Sequence, residues 1–248
     1  MAMVFAGPAR IVAVLSVAVL GTGCAGTVDG TATRTSQRSG ATVMPLARIL
    51  PGDEDIRTAV GNEMGQSPSP RTGGIDLLPD GFRSNHEASP IDCVGPAYPG
   101  LRVVYEKGPA REVAVQDYWN YDLDVVASSA TAAAVRLASA ADAQRLFTSF
   151  VEQWQNCAGT TVTMTTLDSS KTQWYSKVTD VAVHGSILAA TIESWDTHQT
   201  PPYPVERAVG VESDVIADVN VSLRPHIETG SRAIDLVKAM LRRLTAVN

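Results

Sequence analysis

Three cysteines, four histidines and two groups of aromatic residues set beside carboxylates are the side chains of this 248-residue chain with chemistry to offer. An odd cysteine count in an exported chain leaves one thiol for a use other than pairing. The histidines, His86, His184, His198 and His226, lie far apart without ligand-like spacing, so neither a metal nor a cofactor is expected. No Gly-x-Ser-x-Gly elbow, Gly-rich phosphate loop, His-Glu-x-x-His pair or Ser-x-x-Lys nucleophile is found, and no enzymatic activity is expected. Two stretches invite a ligand. Trp119 and Tyr121 lie in Asp117-Tyr118-Trp119-Asn120-Tyr121-Asp122, where rings and carboxylates together suit a polar or sugar-like molecule; a strand connection packed on the core is the alternative. Glu193-Ser194-Trp195-Asp196 with Tyr203 would border a cleft, or else form an apolar edge capped by charges. Thr200-Pro201-Pro202-Tyr203-Pro204 suits a polyproline II segment that attracts a partner, or a stiff connector.

Cys24 has a use of its own. It follows an apolar run, Ile11 to Leu20, in the string Leu20-Gly21-Thr22-Gly23-Cys24. About ten apolar residues match the core of a secretory signal and are too few to span a bilayer of ~30 Å. Bacterial lipoboxes resemble this stretch, with Gly21 where Leu, Val or Ile is preferred. Residues 1–23 are expected to be a cleaved signal peptide and Cys24 the site of lipidation by palmitate-like acyl chains. The alternative is an ordinary secretory signal with a free cysteine left over. The protein is then expected at the cell membrane, lipid-anchored on its extracytoplasmic face. With Cys24 acylated, Cys93 and Cys157 remain either as a disulfide or as two buried thiols.

Losing residues 1–23 removes Arg10 alone, leaving 19 basic against 26 acidic residues, a formal charge of −7. That sign is wrong for neutralising phosphates and no basic run appears, so no nucleic-acid partner is expected. Residues 24–44 are Thr, Ser, Gly and Arg with few large apolar side chains, the composition of a flexible tether. Residues 45–248 read as one domain.

Within that domain, Asp53-Glu54-Asp55 open a short helix carrying Ile56, Val60 and Met64 on one face and ending at Gly65. Residues 66–90 are a long irregular stretch, either mobile or functional, and a candidate lid. Leu101–Tyr105 and Glu112–Asp117 read as strands around Lys107-Gly108-Pro109, and Leu123–Leu137 as a long strand. Ser139 caps a helix whose stripe is Ala143, Leu146, Phe147, Phe150, Val151 and Trp154. Strands follow over Thr160–Leu167, Trp174–Val183, Ile187–Trp195, Val205–Val211 and Val215–Val221; in the last, Asp218 and Asn220 are expected to face out. A helix from about Gly230 to Thr245 closes the chain, with Ala233, Val237, Met240, Leu241 and Leu244 inward. Adjacent strands punctuated by two long helices imply an α+β domain, an antiparallel sheet with helices packed on one face.

The chain resembles the PknH-like extracellular sensor domains of mycobacterial receptor kinases and lipoproteins. The resemblance rests on Asp92-Cys93-Val94-Gly95 with Pro99 and Tyr105, on Ser139 to Ala143 leading to Trp154 and Cys157-Ala158, and on Glu206-Arg207-Ala208 with Val215-Ile216-Ala217-Asp218-Val219. It implies an α+β fold with an antiparallel sheet, a ligand-binding cleft and two disulfides. Cys93 and Cys157 match the first bridge, while Val205 and Ser222 stand where the second would be. No kinase signature is found. The expectation is a membrane-anchored, sensor-like, non-catalytic module for an unidentified small-molecule or envelope ligand; the alternative is an accessory envelope lipoprotein that docks a protein partner.

Overall fold

The computed structural model describes residues 44–84, 86–165, 172–198 and 201–246. The expected signal peptide, Cys24 and all of the tether but Met44 lie outside these residues, as do Thr166 and Leu167 of one expected strand and Thr200 of the proline-rich segment. The described strands are β1 (Gly65–Gln66), β2 (Arg71–Gly73), β3 (Ala88–Ser89), β4 (Ala110–Trp119), β5 (Ala127–Leu137), β6 (Thr161–Thr165), β7 (Gln173–His184), β8 (Ile187–Asp196), β9 (Tyr203–Glu212) and β10 (Val215–Leu223). The helices are α1 (Asp53–Val60), α2 (Val94–Ala97), α3 (Arg102–Tyr105), α4 (Ala140–Cys157) and α5 (Arg232–Thr245). One antiparallel sheet runs β1-β4-β5-β10-β9-β8-β7-β6-β3, with β2 also on β4. The class, the single antiparallel sheet and the single unit are those implied by the sequence.

The helices occupy both faces of the sheet, not one. On one face Trp154, Phe150, Phe147 and Leu146 of α4 pack with Val94, Val104 and Tyr105 onto Val113, Val135, Ile192, Val209 and Ile216. On the other, Leu236, Val237 and Met240 of α5 join Ile56 and Val60 of α1 over Ala134, Ala189, Ala208, Ala217 and Val219. Alternation explains the split, because successive residues of one strand point to opposite faces. α5 lies so close to β9 that a Cβ on Gly210 would stand 2.5 Å from Val237 Cγ1. Only a residue without a side chain fits there.

Local caps follow the sequence closely. Ser139 Oγ accepts from the Asp142 N–H at 3.2 Å and donates to its carboxylate at 2.6 Å, fixing the start of α4. At α1 the Asp55 carboxylate accepts from the Gly52 N–H at 2.7 Å, and Gly61, at φ +92°, ends the helix four residues earlier than the sequence implies. A disulfide joins Cys93 to Cys157, with Cα atoms 5.6 Å apart, and ties the segment before α2 to the end of α4.

Three further expectations are corrected. Residues 102–105 form a helical turn, α3, not a strand, since Val104 and Tyr105 are buried together against α4, which a strand's alternation would prevent. The strand expected from Leu123 begins only at Ala127, and residues 120–126 form the β4–β5 connection. The described residues of the stretch 66–90 are docked across the domain. β1 and β2 pair with β4 at one edge of the sheet and β3 pairs with β6 at the other. Between them Leu78 is buried in the α4-side core, Phe82 stacks on Tyr98 at 5.2 Å, and Arg83 pairs with Asp80 and Glu106. The Arg83 guanidinium in turn holds the Glu106 carboxyl below its usual range.

Candidate functional site

Among the described residues, the most enclosed charged groups are Arg207, 1% exposed, and Asp218, 2% exposed. Asp218 was expected to face solvent because it alternates with Val215, Ala217, Val219 and Val221. Those residues face α5, so Asp218 faces the α4 layer and is covered as well. A charge there must be paired or the strand would not bury it. Arg207 Nη1 donates to Asp218 Oδ1 at 2.6 Å and to the Val219 carbonyl at 2.8 Å; Nε reaches the Pro96 carbonyl at 3.1 Å, and Nη2 reaches Gly95 at 3.1 Å and Tyr98 at 3.4 Å. The other carboxylate oxygen accepts from the Gly100 N–H and the Tyr105 hydroxyl, each at 2.9 Å. Burial raises the Tyr105 phenol well above its ordinary value, so it stays protonated as a donor. Gly100, at φ +59°, makes the turn that presents its N–H. The guanidinium also lies 5.2 Å from the Trp154 ring centre. With its donors used on the protein itself, this cluster locks α2 and α3 to the sheet and offers nothing to a ligand.

The neighbouring residue does the same on the opposite face. The Glu206 carboxylate accepts from the Gly230 N–H at 2.7 Å and the Ala233 N–H at 3.3 Å, and pairs with Arg232 at 2.5 Å. It thereby supplies from β9 the N-terminal cap that Ser231 does not provide.

The four aromatic candidates do not converge on one cleft. Trp119 ends β4, where its indole lies over the cross-strand partner Gly65. Tyr121 projects from the β4–β5 connection, 82% exposed. The adjoining cavity, about 360 Å³, is lined by Asp53, Arg57, Glu63, Met64, Gly65 and Gln66, not by those rings. Tyr203 pairs with Ser194 and packs against the α4-side core, so Trp195, one residue on, points to the α5 face. Trp195 and Tyr203 are therefore on opposite sides of the sheet. What joins Trp195 is a residue not singled out from the sequence, its cross-strand partner Tyr175, stacked at 5.4 Å and 16°. The signal was the alternation of β7 itself.

Among the described residues, no helix covers the α5 face around that pair. α5 reaches β8 only at Ile187 and Ala189, and beyond them every outward residue of β6, β7 and β8 is half-buried or exposed. In register, Thr163, Tyr175 and Trp195 make one row; Thr161, Lys177, Glu193 and Pro204 the next; Thr179, Thr191 and Glu206 a third. The Tyr175 hydroxyl donates to Gln173 Oε1 at 2.8 Å. The rows lead into a cavity of about 170 Å³ lined by Asp180, Ala182, His184, Ala189 and Thr191 and bounded by Gly230 ahead of α5 and by Ala233 and Ile234 in its first turn. Together these make the β7–β8 groove: an open strip at Tyr175 and Trp195 that is concave only at the cavity, whose lining includes neither ring. Among the described residues, no group of three or more His, Cys, Asp or Glu side chains is arranged to hold a metal ion.

The resemblance stated from sequence is matched by comparison with known proteins. Residues 41–243 match the family model of the PknH-like extracellular domain. The chain is similar to the crystal structure of the extracellular domain of PknH from Mycobacterium tuberculosis, with a TM-score of 0.66 at 18% identity, over 80% of this chain and 94% of that one. An uncharacterised protein from Mycobacterium smegmatis, an Rv0999 ortholog, aligns at a TM-score of 0.37 and 11% identity over 82% of this chain and 95% of that one. No curated protein matches the chain. Val205 and Ser222, where the resemblance places a second bridge, are directly opposed in β9 and β10. With its sheet, its disulfide and a family match over most of its length, the chain belongs to the PknH-like extracellular domain family.

Proposed function

We propose that this protein is an extracytoplasmic lipoprotein, anchored through acylated Cys24, whose domain binds a small ligand in the β7–β8 groove without covalent chemistry. The observation that carries the reading is the open face around Tyr175 and Trp195, where an aromatic pair stands half-buried on strands beyond the reach of α5. A half-exposed aromatic pair beside hydroxyl and charged side chains is what an orienting site for a small molecule requires. The family match supports an extracellular, sensor-like role, and the string ahead of Cys24 supports the anchor.

Thermal-shift screening of the purified chain against envelope metabolites and lipids tests the binding, because a ligand of the folded state raises the melting temperature by mass action. We expect at least one compound to do so, and Trp195→Ala to cancel the rise. A full screen without any rise, or a rise indifferent to Trp195, would overturn the groove. In parallel, Cys24→Ser should release the protein from the membrane fraction.

A second reading, docking of an envelope protein partner, is favoured by one feature. Tyr121 and Leu123, 82% and 80% exposed, alternate with Asp122 and Asp124 in the β4–β5 connection.

A further inference from the structure

The ligand class can be read from the groove, given that the groove is the binding site. We infer that it takes a neutral oligosaccharide, laid along β7 and β8 with one ring against Trp195 and Tyr175. A pyranose ring has an apolar face of C–H groups and a rim of hydroxyls. The groove offers the complement: the outer ring face of the stacked Trp195–Tyr175 pair for the C–H face, with Thr163, Thr191, Lys177 and Glu193 around it for the rim. Threonine hydroxyls both donate and accept, as a sugar hydroxyl needs of its partner.

Charge selects among the other occupants. Lys177 is opposed across the strands by Glu193, so the platform is close to neutral. Further along, Asp180 lines the cavity while Glu206 is already satisfied by Arg232 and the α5 amides. A polyanion would meet acids without a compensating basic cluster. An acyl chain would cover the threonine hydroxyls and the two charges without giving them partners, at a cost that burial of its methylenes would have to overcome. A neutral, hydroxyl-rich chain meets neither penalty. From Trp195 to Ala189 is six residues of strand, about 20 Å, room for roughly four pyranose rings ending at the cavity beneath α5.

The test is a titration of the full chain with four neutral tetrasaccharides: cellotetraose, maltotetraose, mannotetraose and chitotetraose. It is followed by tryptophan fluorescence and by amide and indole NMR shifts. At least one sugar should shift the Trp195 indole together with the amides of Thr163 and Thr191. Trp195→Ala should weaken it at least tenfold, Trp195→Phe should restore most of the affinity, and Trp119→Ala should leave it unchanged. Absence of any shift at about 10 mM sugar, or shifts confined to residues outside β6–β8, would overturn the assignment. Failure of the sugars while a lipid or metabolite still acts through Trp195 would sink the oligosaccharide but leave the groove standing. Failure of both sets would remove the groove as well.

Discussion

β10 and β8 are neighbours but one in the same sheet, and they live in different surroundings. From Val215 to Val219 β10 is covered on both faces, by α4 and its attendant turns on one side and by α5 on the other, and all five residues are buried; only Asn220 and Ser222 near its end are half-buried. β8 is covered on both faces only as far as Ala190; from Thr191 to Trp195 one face stays open, and buried and half-exposed residues alternate. A strand enclosed on both sides spends its polar residues on holding layers together, as Asp218 does. A strand open on one side has polar and aromatic residues left for something else. The difference separates residues that build this domain from those that are free to serve it.

The comparison breaks first at Arg207. Arg207→Met leaves the Asp218 carboxylate buried with only the Gly100 and Tyr105 donors, and should cost about 3–5 kcal/mol in denaturant unfolding. Adding Asp218→Leu should recover part of that loss, because no uncompensated charge is then left behind. A cost under about 1 kcal/mol would show that the cluster is not a clamp. Glu206→Gln comes next. It keeps a carbonyl for one amide of α5 but gives up the ion pair with Arg232, and should cost about 1–2 kcal/mol, with faster hydrogen exchange in the first turn of α5. The smallest effect belongs to the open face: Thr191→Ala and Glu193→Ala should each change stability by no more than about 0.5 kcal/mol. A loss as large as at Arg207 would mean that the face is structural and not available to a ligand.

Much of this was legible residue by residue. The α4 stripe and its Ser139 cap and the β7–β8 and β9–β10 hairpins follow local rules of period and cap that neighbouring residues can satisfy alone, whereas Cys93 and Cys157, 64 residues apart, were paired by count and by resemblance, with two free thiols as the alternative. The candidate site was half legible. Trp195 was singled out by its carboxylate neighbours, whereas Tyr175 became its partner only through the β7–β8 register. Tyr203 was grouped with Trp195 because the two are close in sequence, and the pleat put them on opposite faces.

The sequence alone determined where the two long helices and most of the long strands lie and which way each strand alternates, because these depend on residues within a turn or two of each other. Only the tertiary structure decided which faces are covered. Period 2 tells two sides of a strand apart without saying what lies on either, so Asp218 read as wet until α4 and its turns were placed over it. The same placement left the face at Trp195 bare, since α5 stops short of it.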